Sequence, residues 1–544
     1  MTDAPTASLS TAPAPAAPAE SAPAPVGIPW LGLVAVLLGT FLSTLNTRIS
    51  VFGLADVEGA IHAGFDEGAW LTTAFTVAQM LVTPAAVWTG NMFGPRRILL
   101  ASAVAFAAIS VVSPFATNLP EMLTLRFAAG IASGAFVPLT LSYVLRNIPP
   151  KLAAYGVAIY ALNLEFSLNI SASLEGWYVD HLSWRWIFWQ NVPLALGMAL
   201  CLHFGGRAAP ARRDRPPTDL FGLASYGIGL SLIYAALDQG NRLDWLNSGL
   251  IWGLLLAGGL LLVAFVVHDR RIPYPLLNLS LVLAHPLPSL LGLMAFLRLG
   301  ILSTAYLIPL FLGTVRGFRS LEVGQTLIWV ALPQAILCPM AGLLLRRVDA
   351  RLVACLGFFL ISVACYSVAN GLTPLWGSDQ FLVSQLLQAV GQSCALTGVV
   401  FFAIQHVRPE SAITFGAMMN TARLMGGEIG SAFVVTFSRI HSQTASNLIG
   451  LHVQIGSESV EQRLQLYAAA TQGASYPASG TARGMSVLGN AVHSMAETQG
   501  VIDAFAVMAA LALIALLLMV AQRAAPIGPA TYRPLFAKEE GELP

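Results

Sequence analysis

Fourteen stretches of this chain are each long enough and apolar enough to cross a lipid bilayer as a helix. They lie near 29–52, 68–89, 97–117, 121–145, 153–178, 185–205, 219–238, 248–267, 287–312, 322–345, 351–371, 379–403, 412–438 and 500–522. A span needs about 20 mainly apolar residues, and in hydrocarbon a helix satisfies its backbone N–H and C=O groups internally. Of the 544 residues, 56% are hydrophobic and only 10% charged, against about 25% charged in soluble domains. The chain therefore reads as an all-α membrane protein. Its net charge of +1 leaves no concentrated basic face for a nucleic-acid partner.

Arginine and lysine in the short loops set the orientation. Alternate loops carry Arg96 and Arg97; Arg146 and Lys151; Arg207, Arg212, Arg213 and Arg215; Arg270 and Arg271; Arg346, Arg347 and Arg351; and Arg408. The intervening loops hold only Arg185, Arg242, Arg316 and Arg319. The first set marks the cytoplasmic side, and an even number of spans puts both termini there. Residues 1–28, rich in Pro, Ala and Ser with no Lys or Arg, neither bury a core nor begin like a signal peptide. They read as a disordered cytoplasmic tail, and 526–544 as the cytoplasmic tail at the other end. The five cysteines sit inside apolar runs without CxxC spacing, so they read as small buried hydrophobes. No metal or cofactor motif appears. Walker, GxSxG and HExxH patterns are missing, which points away from an enzyme.

One extracytoplasmic segment, 441–500, is long for a loop. It is rich in Ser, Gln, Ala and Gly, with helical character in ESVEQRLQLYAAATQ. A partner surface and a loop without one are both open.

Charges inside the spans are the next constraint, since an ionised group at a helix centre costs roughly 2.5–3.5 kcal/mol on insertion scales. Arg48 lies in the first span and Glu175 in the fifth, each about one turn from the outer end. Arg126 on the fourth span has comparable depth. Together they form a candidate outer cluster, read either as a buried ion pair stapling helices or as an anion- or proton-responsive site.

Several segments, in order, resemble the fourteen-helix drug:proton antiporters of the major facilitator superfamily. DHLSWRWIFWQNVPLAL (180–196) is similar to the junction of their fifth and sixth helices, and LNTRISVFGLADVEGAI to their first-helix signature. WLTTAFTVAQMLV, RFAAGIASGAFVPL and NTARLMGGEIGSAF resemble the second, fourth and thirteenth helices. The likeness runs from about 29 to 525. It implies the major facilitator fold: an N-terminal six-helix bundle (29–205), two inserted helices (206–270) and a C-terminal bundle (271–525), rocking around a central cavity. It also implies that loops such as Gly94, Arg96 and Arg97 lock the inner gate, although positive-inside anchoring alone explains such arginines. GLLLRRVDAR after the tenth span echoes GNMFGPRR after the second.

The chain departs from that pattern in places. Asn46 stands where the family usually has aspartate, Arg48 where it has a small hydroxyl, and Asn91 where it has another aspartate. The fifth helix reads SASLEG (171–176) in place of Gly-Pro-x-x-Gly-Gly. That predicts a straighter helix with less intimate packing. Glu165, midway along this helix, and Glu428 in GGEIG are candidate proton-coupling sites, with Glu175 a third; Arg298 and Arg423 are candidate partners of Glu428. Neutralising a nearby arginine is the other reading of each. Asn46, Tyr306, Arg298, Gln385, Gln388 and Gln392 are substrate-cavity candidates, the glutamines sharing one helical face. Helix-to-helix hydrogen bonding is their alternative role. Phe401 and Phe402 suggest an apolar, aromatic cavity suited to amphipathic organic molecules.

The resemblance implies an inner-membrane exporter of drug-like or aromatic, also anionic, compounds, driven by protons. In two-membrane bacteria such proteins work with a membrane-fusion protein and an outer-membrane channel, for which 441–500 is the expected docking segment. A facilitator or importer of an organic acid, and a non-transporting sensor or scaffold, are the competing readings.

Overall fold

The computed structural model describes residues 30–47, 54–148, 152–205, 219–272, 287–406, 412–454, 456–470 and 478–522, which form helices and turns without a strand. The main helices of the first half are α1 (Trp30–Asn46), α2 (Trp70–Phe93), α3 (Pro95–Val112), α4 (Leu119–Ser133), α5 (Phe136–Asn147), α6 (Ala153–His181) and α7 (Asn191–Gly205). Then come α8 (Leu220–Gly240) and α9 (Gly249–Asp269). The second half contains α10 (Leu287–Leu302), α11 (Ile308–Thr314), α12 (Ser320–Leu344), α13 (Ala350–Gly371), α14 (Leu382–Ile404), α15 (Ala412–Gly450), α16 (Glu458–Ala470) and α17 (Ala478–Val520). Every predicted span falls on one of these, with α4–α5 and α10–α11 each sharing a run. Eleven helical stretches among the described residues are long and apolar enough to cross a membrane, and α1 is shorter at 17 residues.

Local chemistry places the helix ends. Asn118 caps α4 by accepting the Glu121 amide at 3.0 Å, while the Glu121 carboxylate reaches back to the Thr117 amide at 3.0 Å. One donor left without a partner by the first helical turn is thereby satisfied, together with the amide just before the cap. Asp219 caps α8 through the Gly222 amide at 2.8 Å and also meets His268 Nε2 at 2.9 Å, tying α8 to the end of α9. Gly94 takes φ +86° between α2 and α3, a left-handed conformation that side chains disfavour, and Pro95 opens the next helix.

The first half packs α1 on α7 and α2 on α4, around Phe75, Phe106, Phe136 and Met198. The second half packs α13 between α14 and α17, around Phe311, Phe358, Phe402 and Phe505. Leu164 and Leu168 of α6 join that second core, so α6 belongs to both. The halves meet along two seams, α6 against α12 and α2 with α5 against α15.

The α6–α12 seam corrects the expectation of loose packing. α6 runs unbroken for 29 residues, yet its backbone lies close to α12 at both ends. A methyl on Gly324 would stand 2.6 Å from Ser173 Cα, and one on Gly342 would stand 2.7 Å from Ala158 Cβ. Ser173 Oγ also donates to the Gly324 carbonyl at 2.7 Å. Glycine and serine bring the helices together here without a Gly-Pro kink.

The inserted pair lies beside α2. Ser231 Oγ of α8 donates to the Val77 carbonyl at 2.9 Å, and Trp245 Nε1 after it reaches Thr436 Oγ1 of α15 at 3.1 Å. α9 exposes Leu256, Leu260 and Val263, an apolar face suited to lipid.

Of the segment 441–500, expected as a long loop with some helical character, the described residues are largely helical. α15 has 39 residues and α17 has 43, or about 58 and 65 Å at 1.5 Å per residue. Both exceed the roughly 30 Å hydrocarbon layer. Their extensions pack on each other with α16, joined by His441 Nδ1 to Asp503 Oδ2 at 2.9 Å and by Ser442 Oγ to Glu497 Oε2 at 3.3 Å. Small Ala, Ser and Gly residues allow that contact, so polar composition here accompanies packed helix.

Replacing Gly324 by Leu forces the α6–α12 seam apart. The expected loss is about 1–3 kcal/mol, typical of overpacking, read as a lowered Tm of the detergent-solubilised protein. Gly292→Leu, where nothing lies within 4 Å, should leave the Tm nearly unchanged.

Candidate functional site

Three ionisable side chains meet where the halves join: Glu165 of α6, Arg298 of α10 and Arg423 of α15. Glu165 is fully buried, and its Oε1 lies 3.6 Å from Arg298 Nη1. Arg423 is 2% exposed, within the electrostatic field of Glu165, and its Nη2 donates to Asn420 Oδ1 at 3.0 Å. Nε and Nη1 of both arginines make no hydrogen bond.

The backbone explains how α15 delivers Arg423 and Glu428 here. A methyl on Gly426 would sit 2.5 Å from Ala295 Cα, and one on Gly430 would sit 3.2 Å from Leu299 Cα. The glycines of MGGEIG thus let α15 lie against α10. Just past Arg298, Ser303–Leu307 forms a π-helical turn, a distortion frequent at functional sites.

Beside this triad is a cavity of about 160 Å³ that takes lining from both halves and from the inserted pair. Arg298 and Arg423 form one pole, and Asp238 and Glu428 supply carboxylates. Thr47, Thr72, Thr76 and Ser431 contribute hydroxyls, and Tyr234 lies within hydrogen-bond reach of Glu428. Asp238 accepts from Thr73 Oγ1 and from Gln239 Nε2, and Gln239 in turn accepts from Arg242 Nε at 2.9 Å. A chain of polar groups therefore runs from the cavity to the end of α8.

The expected cavity differs from the observed one. Phe401 and Phe402 are buried in the core of the second half, while the cavity wall is polar. Asn46 and Asn191 instead exchange amide hydrogen bonds at 2.9 and 3.1 Å, joining α1 to α7. Gln392 Oε1 accepts from Asn169 of α6 at 3.2 Å and from Gln334 of α12 at 3.1 Å, while Gln388 donates to Ser303 at 2.9 Å. Gln392 therefore joins α14 and α12 to α6 across the seam, while Gln388 ties α14 to the π-helical turn within the second half. Gln385 is buried with neither amide atom hydrogen-bonded, and Tyr306 is half-buried on the π-helical turn; neither lines the cavity.

Of the outer cluster, Arg48 lies outside the described residues. Arg126 and Glu175 do face each other electrostatically, both buried. Arg126 also donates to the Leu71 and Asn46 carbonyls at 3.3 Å each and stacks over Phe75 at 4.7 Å. It thereby clamps the end of α1 to the start of α2.

The arginine-rich face shows a similar division. Arg96 caps α7, donating to the Leu202 and His203 carbonyls at 3.0 and 2.6 Å, and Arg97 is exposed. Both contacts of Arg96 stay within the first half. Arg346 on this face does cross between the halves, donating to Tyr155 Oη at 3.0 Å and stacking 5.6 Å from its ring. Gly416 against Pro138 and Asn420 Nδ2 to Thr83 Oγ1 at 3.2 Å join the halves along the other seam.

Sequence reasoning missed Asp238 and Tyr234. The signal was present: a carboxylate in the last turn of an apolar helix, LIYAALDQG, is as costly as the charges that were noticed.

The Major Facilitator Superfamily model matches residues 36–431. The probable multidrug resistance protein EmrY of Escherichia coli K12 is 25% identical over 78% of this chain and 83% of its own length. The multidrug export protein EmrB of Haemophilus influenzae is 26% identical over 73% of this chain and 78% of its own. The solved proton:xylose symporter XylE superposes with TM-score 0.57 at 13% identity, covering 91% of this chain and 95% of that one; this likeness concerns the fold.

Breaking a buried ion pair from one side costs about 3–5 kcal/mol, whereas removing both partners is often neutral. Glu165→Gln or Arg298→Met alone should each lower thermal stability by that order. The double variant should recover most of the loss in a double-mutant cycle of Tm-derived stabilities.

Proposed function

The chain belongs to the major facilitator superfamily of membrane transporters, and on that premise we propose that it is a bacterial inner-membrane exporter of drug-like or aromatic compounds coupled to proton entry. The observation that carries this reading is the polar cavity between the halves, with the Glu165–Arg298–Arg423 triad beside it. The two multidrug proteins resembling the chain support the choice of cargo.

Antiport needs cargo and proton to exclude one another at a shared site. Glu428 and Asp238 face the cavity, so either carboxylate takes a proton or a donor group of the cargo. Glu165 lies behind them, held by Arg298. Its protonation would free the arginines and alter the electrostatics at the junction of the halves. Such a change biases which face the cavity opens to.

The arginine-rich face is assigned to the cytoplasm, with both termini on that side. The α15–α17 projection then extends from the opposite face, as a docking surface for a membrane-fusion protein that leads to an outer-membrane channel.

A second reading, uptake of an organic acid, is favoured by the unbonded N–H groups of Arg298 and Arg423. In that scheme a proton on Glu165 and an anion on the arginines bind together, and the two travel in the same direction.

Vesicles of both orientations, with an imposed pH gradient of either sign, separate these readings. The exporter predicts accumulation of drug-like cargo in everted vesicles acidified inside, reduced to background by Glu428→Gln or Glu165→Gln. Accumulation of an organic acid in right-side-out vesicles under an inward proton gradient would instead establish the second reading.

A further inference from the structure

We propose that a groove on the second half binds an anionic phospholipid of the leaflet at the arginine-rich face, and that its phosphate competes with Tyr155 for Arg346. The groove is separate from the polar cavity and encloses about 620 Å³. Its walls are apolar: Met340 and Leu343 of α12, Leu356 of α13, and Val390 and Cys394 of α14. Met340 is 55% and Leu343 50% exposed, so the groove opens sideways from membrane-spanning helices, toward acyl chains. Arg346 and Arg347 stand at one end, directly after α12.

The charge pattern selects the occupant. Apolar walls at hydrocarbon depth followed by two guanidiniums at the helix end match an acyl chain joined to a phosphate. Neither Arg346 nor Arg347 has an ion pair among the described residues; Arg346 has only the neutral Tyr155 hydroxyl and ring as partners. A phosphate is the stronger acceptor for a guanidinium. Tyr155 belongs to α6 and Arg346 follows α12, so this contact crosses the seam between the halves. A lipid phosphate that draws Arg346 away loosens that tie, making the anionic lipid content of the leaflet a control on how readily this face opens.

The test uses the full-length protein in nanodiscs of phosphatidylcholine with graded phosphatidylglycerol. Bound lipid is measured by native mass spectrometry after release, and folding is checked by thermal melts. Wild type should retain phosphatidylglycerol over phosphatidylcholine by roughly tenfold or more, given two basic contacts near the membrane surface. Arg347→Gln, which leaves the Tyr155 contact intact, should cut this preference several-fold, and Arg346→Gln with Arg347→Gln should abolish it. Val390→Trp, which fills the groove, should lower retention of both lipids. Tyr155→Phe keeps the ring but removes the competing hydroxyl, so it should raise phosphatidylglycerol retention.

A preference that survives loss of both arginines, or undiminished lipid retention in Val390→Trp, overturns the site. Unchanged or weaker retention in Tyr155→Phe overturns the competition. Displacement of retained lipid by free inorganic phosphate would show a simple anion site, and preferential displacement by drug-like anions a cargo entrance; either result overturns the lipid assignment.

Discussion

The Glu165–Arg298 pair is buried at the edge of the polar cavity, and the arrangement of the halves depends on it. A lone charge at this depth would carry a solvation penalty of several kcal/mol. Because the carboxylate comes from α6 and the guanidinium from α10, charge balance requires the two halves to stay in register. Arg423, held by Asn420 within α15, adds a third helix to the same constraint.

Close backbone approach makes that register attainable. Gly324 and Gly342 let α12 lie along α6, and Gly426 and Gly430 let α15 lie along α10. Without a strong hydrophobic drive between helices in lipid, dispersion contacts and interhelical hydrogen bonds hold such seams together. The Asn169–Gln334–Gln392 network supplies those bonds across the α6–α12 seam. The polar cavity takes lining from α2 and α15 of the second seam, with Tyr234 and Asp238 added from α8. The inserted pair thus contributes to the site as well as lengthening the chain between the halves.

Much of the site was visible in the sequence as isolated costs. Glu165, Arg298 and Arg423 each stood out as charges inside apolar runs, with Glu428 the expected partner of the arginines; the structure pairs Arg298 with Glu165 and places Glu428 on the cavity wall beside them. Arg126 and Glu175 also face one another. The glutamine face was legible as inward-pointing, but its use was not: hydrogen bonding between helices and lining a cavity leave the same periodic pattern. Asn46 shows the same ambiguity, because its partner Asn191 is 145 residues away. The extent of helix in the segment 441–500 was only partly legible, for a different reason. Low hydropathy separates lipid from water, but does not separate a loop from a helix standing in water.

The sequence by itself determined the spans, the crowding of arginine on one set of loops and the presence of costly buried charge. Those follow from transfer free energies, which each residue carries wherever it lies in the fold. Only the tertiary structure decided which charges share a counter-ion, which amides pair, and that Arg346, rather than Arg96, bridges the halves. Such pairings depend on distances between helices far apart in the chain, and these are set by where two glycine-lined backbones come close enough to touch.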